Sequence, residues 1–178
     1  NGMIKVITGI RRCGKSYLLF ELFKNHLIDN GVEDDQIIEI SLDSVEFEDL
    51  QDKRKLNDYI KSKIRNDKNY YILLDEIQLV DGFELLLNGL LKHKNLDVYV
   101  TGSNSKFLSS DIITEFRGRG DEVRVHPLSF KEFYDSYKGD KHNAYSEYSI
   151  YGGMPALVEM DSHEAKSSYL YNLVENVY

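Results

Sequence analysis

Short β-branched, apolar runs alternate along this chain with stretches whose apolar residues recur every three or four positions. The first pattern belongs to strands, the second to helices. Ile4-Lys5-Val6-Ile7-Thr8 reads as a first strand, and 15–27 as a helix with Leu18, Leu19, Leu22, Phe23 and Leu27 at helical spacing. Residues 36–42 (QIIEISL) read as a second strand, and 56–65 as a helix with Tyr59, Ile60 and Ile64 on one face. The run 70–75 (YYILLD) is apolar almost throughout and closes on an acid, as a buried central strand does. The leucine-rich stretch 83–92 reads as a helix, 98–101 (VYVT) as a fourth strand, 105–116 as a helix and 122–125 (EVRV) as a fifth strand. This alternation predicts an α/β fold with a parallel sheet and crossover helices. After His126-Pro127 the pattern changes. Phe130, Phe133 and Tyr134 mark a short helix; 145–151 and 165–177 read as further helices, separated by Gly152-Gly153 and Pro155. The predicted organisation is an α/β core over 1–127 and a helical lid or winged-helix-like appendix over 128–178.

Composition narrows the class. At 178 residues the chain has the length of one domain, and it is long enough to bury a substantial core. An apolar share of 42% and a charged share of 29% exclude collagen-like and disordered chains. No run approaches the roughly 18 apolar residues of a membrane-spanning helix, and no secretory leader pattern opens the chain. One cysteine, Cys13, forms no internal disulfide and fits a reducing cytoplasm. A net charge of −8 argues against a surface that clings everywhere to nucleic acid or anionic membrane, while leaving room for a local basic patch. Asn1 in place of an initiator methionine, and the helical character of 167–178, suggest a fragment of a longer protein.

The sharpest chemical signal lies between the first strand and the first helix. Gly9-Ile10-Arg11-Arg12-Cys13-Gly14-Lys15-Ser16 fits G-x-x-x-x-G-K-[ST] without a mismatch. Phosphates pack several negative charges into a small volume. Glycines let the backbone bend so that successive N–H groups face one point, and a helix N-terminus adds partial positive charge there. In such a cradle 9–14 supply the backbone, with Tyr17 just beyond. Lys15 reaches the outer phosphates as a point charge, and the Ser16 hydroxyl is a hard oxygen ligand for Mg²⁺.

Asp75-Glu76 closes the third strand, and Asp75 follows Lys15 by 60 positions. A carboxylate at this place holds Mg²⁺ together with the loop hydroxyl. Glu76, next in line, is a candidate general base for an attacking water. A second acid beside the metal-binding one favours hydrolysis over transfer to another acceptor. The five histidines lack metal-ligand spacing with each other or with Cys13.

Six motifs now stand in order: 9–16; Asp75-Glu76-Ile77-Gln78; 101–105 (TGSNS); Phe116-Arg117-Gly118-Arg119; Pro127-Leu128-Ser129-Phe130 with Glu132-Phe133; and Tyr151-Gly152-Gly153-Met154-Pro155. Together, over roughly residues 3–160, they resemble a family of prokaryotic predicted ATPases of the AAA+ superfamily, in which a P-loop core is followed by a further C-terminal domain. The resemblance implies a P-loop NTPase sheet in the order 5-1-4-3-2, with ATP and Mg²⁺ at the carboxyl ends of its strands. It also implies a γ-phosphate sensor at Ser103 or Asn104, in a turn that would equally suit capping the next helix. Arg119, or Arg117, stands where an arginine finger acts on a neighbour's nucleotide, which would imply self-association; a solvated helix end or an ion pair is the plainer reading of the same residues.

The Arg11-Arg12 pair is unlike better-known AAA+ loops. Its cations would meet phosphates, or else bind a neighbouring acid such as Glu76. Beyond Tyr151 there is no arginine to serve as a second sensor. The leading expectation is an ATP-hydrolysing switch or motor module with a protein partner. Its rivals are a phosphotransferase, an ATP-dependent docking module without turnover, and a DNA-associated regulator acting through the appended segment.

Overall fold

The continuous apolar runs become strands because a parallel strand buried on both faces has no polar side to present. The computed structural model describes residues 2–102, 116 and 118–175. Among them, β1 (Ile4–Thr8), β2 (Ile37–Ser41), β3 (Tyr70–Asp75), β4 (Leu96–Thr101) and β5 (Gly120–Arg124) form one sheet. Every pairing is parallel. Read from the β5 edge the order is 5-1-4-3-2, the order the resemblance implies. β1 and β3 have the predicted bounds; β5 begins two residues earlier than predicted. The expected helix 105–116 falls, apart from Phe116, outside the described residues.

Helix boundaries follow caps more closely than apolar spacing. α1 (Lys15–Tyr17) widens into a π-helical stretch (Leu18–Phe23) and resumes as α2 (Lys24–Asp29). The wider turn leaves Leu19 and Leu27 buried but Leu22 half-exposed. α3 (Lys53–Lys63) starts three residues before its first buried leucine, because Asp52 caps it. The Asp52 carboxylate accepts the Arg54 and Lys55 N–H groups at 2.8 and 3.0 Å. Those bonds hold its carboxyl below the usual range. A 3-10 stretch, Val45–Gln51, precedes it, and α4 (Phe83–Leu90) follows β3.

The chain divides into two units. The first comprises the residues through Thr8 together with Lys15–Arg124. Its main core lies on one sheet face: Val6, Ile38, Ile40, Ile72, Leu74, Val98 and Val100 meet Leu56 and Ile60 of α3 and Phe83, Leu87 and Leu90 of α4. Phe83 is 2% exposed. Phe83→Ala is expected to cost about 3–5 kcal/mol, read as a lower urea midpoint at unchanged slope. Elsewhere in this unit the Phe23 and Tyr99 rings lie 4.4 Å apart. The Tyr99 hydroxyl donates to Asp97 at 3.1 Å, and Lys5 pairs with the same carboxylate. Burial, then the Asp97 charge, push the Tyr99 phenol well above its usual range.

The second unit comprises Gly9–Gly14 and the residues from Val125 onward. It contains α5 (Phe130–Ser136), α6 (Lys141–Tyr151), a 3-10 stretch (Pro155–Glu159) and α7 (His163–Glu175). Ser129 and Glu132 form a capping box that starts α5. Phe130 packs edge-on against Tyr145 and Tyr148. The Tyr148 hydroxyl donates to the Leu128 carbonyl at 2.9 Å. Gly153 is required where its segment crosses Leu128, since a Cβ there would stand 2.0 Å from the Leu128 oxygen. Glu147 accepts from Lys166 and, at 3.2 Å, from the Tyr137 hydroxyl. No described helix is long and apolar enough to cross a membrane.

Candidate functional site

A parallel sheet brings the carboxyl ends of its strands to one edge, and ligands of open α/β sheets bind there. In the first unit β1, β4 and β3 lie side by side, with Ile7 opposite Thr101 and Leu74 opposite Val100. Thr8, Thr101 and Asp75 therefore end their strands together. Asp75 is 4% exposed and Thr101 fully buried. A buried carboxylate needs a partner, and the Thr101 hydroxyl donates to Asp75 Oδ1. The same hydroxyl accepts the Glu76 N–H at 3.2 Å.

Glu76 has φ 56°, in the left-handed region. For a residue with a Cβ this costs about 1–3 kcal/mol and persists only where its surroundings fix it. The Glu76 carboxylate accepts from the Gln78 side-chain amide. Lys15, the first residue of α1, is 5% exposed, whereas Ser16 is exposed and Tyr17 is 62% exposed.

The six loop residues Gly9–Gly14 belong to the second unit and are shaped there. Gly9 (φ 148°), Arg12 (φ 64°) and Gly14 (φ 98°) all have positive φ. A Cβ on Gly9 would stand 2.4 Å from the Val125 oxygen and 2.8 Å from Cys13 Sγ, so no other residue fits. The Cys13 N–H donates to the Ile10 carbonyl at 3.3 Å. The Cys13 thiol is 3% exposed and donates to the Val125 carbonyl at 3.6 Å, the setting of a small residue seated in a tight loop. Ile10, Arg11 and Arg12 are exposed. The Arg12 guanidinium lies over the Tyr169 ring of α7, 5.5 Å from its centroid. Sequence reasoning expected phosphate or Glu76 as the partner of these arginines, and Tyr169 was missed.

Arg119 is exposed and precedes β5, where its carbonyl accepts the Ile4 N–H at 2.7 Å. That is the amino end of the sheet, about 13 Å of strand from the edge that carries Asp75. Within one chain the fold thus separates Arg119 from the acids. Ser103, Asn104 and Arg117 lie outside the described residues. Thr101 and Gln78 stand inside two of the six sequence motifs, but the sequence assigned neither of them a role at the site. The signals for Thr101 were its place in the 101–105 motif and at the end of a strand next to the one that Asp75 closes.

Within the first unit the residues present suit Mg²⁺ and phosphate: hard oxygens at Ser16 and Asp75, and a buried cation at Lys15. Comparison with known proteins agrees with this fold. The chain is 37% identical over 164 residues to an uncharacterized protein of Haemophilus influenzae, an alignment that covers 89% of this chain and 41% of that protein. It is 32% identical over 193 residues to an uncharacterized protein of Methanocaldococcus jannaschii, covering 98% of this chain and again 41% of the relative. The chain therefore spans about two fifths of the length of these curated relatives. Among solved structures, C. elegans PCH-2 matches 76% of this chain and 38% of its own at a TM-score of 0.53 and 18% identity, a likeness of fold. The family described as AAA domain matches residues 1–134. With its phosphate-loop sequence and its 5-1-4-3-2 parallel sheet, the chain belongs to the AAA domain family.

Proposed function

We propose that this chain binds Mg·ATP on the segment 9–16 and hydrolyses it as a switch or motor module. The observation that carries the reading is the complete phosphate-loop sequence leaving the carboxyl end of β1, with a glycine at position 9 where a Cβ would collide. Left-handed backbone at Gly9, Arg12 and Gly14 suits N–H groups turned toward an anion. Lys15 draws the outer phosphates, and Ile10, Arg11, Cys13 and Tyr17 flank the bound nucleotide. Ser16 and Asp75 would hold Mg²⁺, which would supply neutralisation of the charge on the phosphates. Glu76 takes the proton of the attacking water. Ser103 or Asn104 senses the γ-phosphate.

Arg119, or Arg117 two positions before it in sequence, serves the nucleotide of a second copy; the place of Arg119 at the amino end of the sheet supports a role in trans over one in cis. The Arg12–Tyr169 stack supports a link between the loop and the helical segment, through which nucleotide state moves a protein partner's docking surface.

Hydrolysis is tested by phosphate release from Mg·ATP with no acceptor but water. Steady release supports the reading. ATP binding without release would favour a docking module. Release that requires an added hydroxyl acceptor would favour phosphotransfer.

A further inference from the structure

The buried hydroxyl of Thr101 ties together the two acids to which the proposed function assigns different tasks. A hydroxyl has one donor and two acceptor positions. Here the donor is spent on Asp75 Oδ1, and one acceptor takes the Glu76 N–H at 3.2 Å. Thr101 is fully buried, so bulk water does not compete for either bond. The β-branched side chain adds stiffness at χ1, which holds the hydroxyl in one direction. One bond fixes how the Asp75 carboxylate turns about its own χ angles. The other fixes the peptide that sends Glu76 into its left-handed conformation, and so the direction in which that side chain leaves the strand.

We infer that Thr101 is a positioning residue: its hydroxyl, between β3 and β4, sets the Asp75 carboxylate for Mg²⁺ and the Glu76 carboxylate for water at the same time. This inference rests on the function proposed above. It goes further in giving both acids one shared support. Thr101 itself need not touch nucleotide. Partners of this kind, bonded to a metal-binding carboxylate, typically govern metal affinity or activity by about 10–100-fold.

The test compares wild type, Thr101→Val, Thr101→Ser and Thr101→Ala. Val keeps the shape and removes the hydroxyl, Ser keeps the hydroxyl, and Ala stands in should Val fail to fold. Two readouts separate positioning from packing. The first is the Mg²⁺ concentration that half-saturates the enhancement of ATP binding, followed by calorimetric titration beside Mg²⁺-free ADP. The second is kcat for phosphate release. Val, or Ala, is expected to raise the Mg²⁺ requirement and lower kcat, each by about 10–100-fold, with Mg²⁺-free ADP affinity unchanged. Ser is expected to restore both to within about threefold, since it keeps the two bonds and loses only a buried methyl group and the stiffness that comes with it. A Val or Ala variant with wild-type Mg²⁺ dependence overturns the inference, as does a Ser variant no better than Val. A wild type whose ATP binding ignores Mg²⁺ overturns the underlying reading instead.

Discussion

Glu76→Gln is expected to slow phosphate release from Mg·ATP by about 10²–10⁴-fold, the usual contribution of a positioned general base. The amide has the shape of the carboxylate but does not take a proton near neutral pH, so the variant separates chemistry from binding. The left-handed backbone at Glu76 is held by the Thr101 bond to its N–H, which the substitution leaves intact. Mg·ATP affinity and the melting temperature of the free protein should therefore stay close to wild type. The measurement is single-turnover phosphate release at saturating ATP beside an equilibrium titration. Unchanged release would remove Glu76 from the chemistry. Lost binding would place it among the groups that hold the nucleotide.

Lys15→Ala is expected to weaken Mg·ATP binding by at least about 100-fold, or about 2.7 kcal/mol, and to abolish turnover with it. A lysine at this point of a phosphate loop acts as a point charge on the outer phosphates, and its low exposure keeps water from screening that attraction. Alanine is a good residue for the first turn of a helix, so α1 should persist and the unliganded protein should fold. Calorimetric titration decides. Affinity within a few-fold of wild type would mean that Lys15 does not meet the phosphates.

The centre of the sheet was legible because burial on both faces writes itself as a nearly continuous apolar run, clearest in β3, whereas β5 is largely exposed and begins before its apolar signal. β3 has the predicted bounds for that reason; β1 has them too, although Lys5 interrupts its apolar run and pairs with Asp97. Capped starts were harder. α3 begins at its Asp52 cap, and α6 at Asp140, four residues before its first buried residue, because apolar spacing marks the packed face of a helix and not its end. The 3-10 stretch Val45–Gln51 buries no residue fully, so it leaves little periodic trace. The π-helical stretch reads as ordinary helix, because only a change in the turn's width shifts Leu22 outward.

At the candidate site, the glycines, Lys15, Ser16 and the Asp75-Glu76 pair were legible because phosphate chemistry dictates residue types at fixed spacing. Thr101 was not, since its partnership with Asp75 spans 26 positions and exists only through strand pairing. Tyr169 was hidden for the same reason: nothing local to Arg12 points to α7.

Thermal unfolding of the wild-type chain with and without Mg·ATP tests the central claim most directly. At about 100 times its dissociation constant, a ligand that binds only the folded state adds about 2.7 kcal/mol. For a chain of this length that is an upward shift of about 5–10 °C. The account predicts such a shift, saturating with ATP concentration and enhanced by Mg²⁺. A melting temperature unmoved by millimolar Mg·ATP would contradict it.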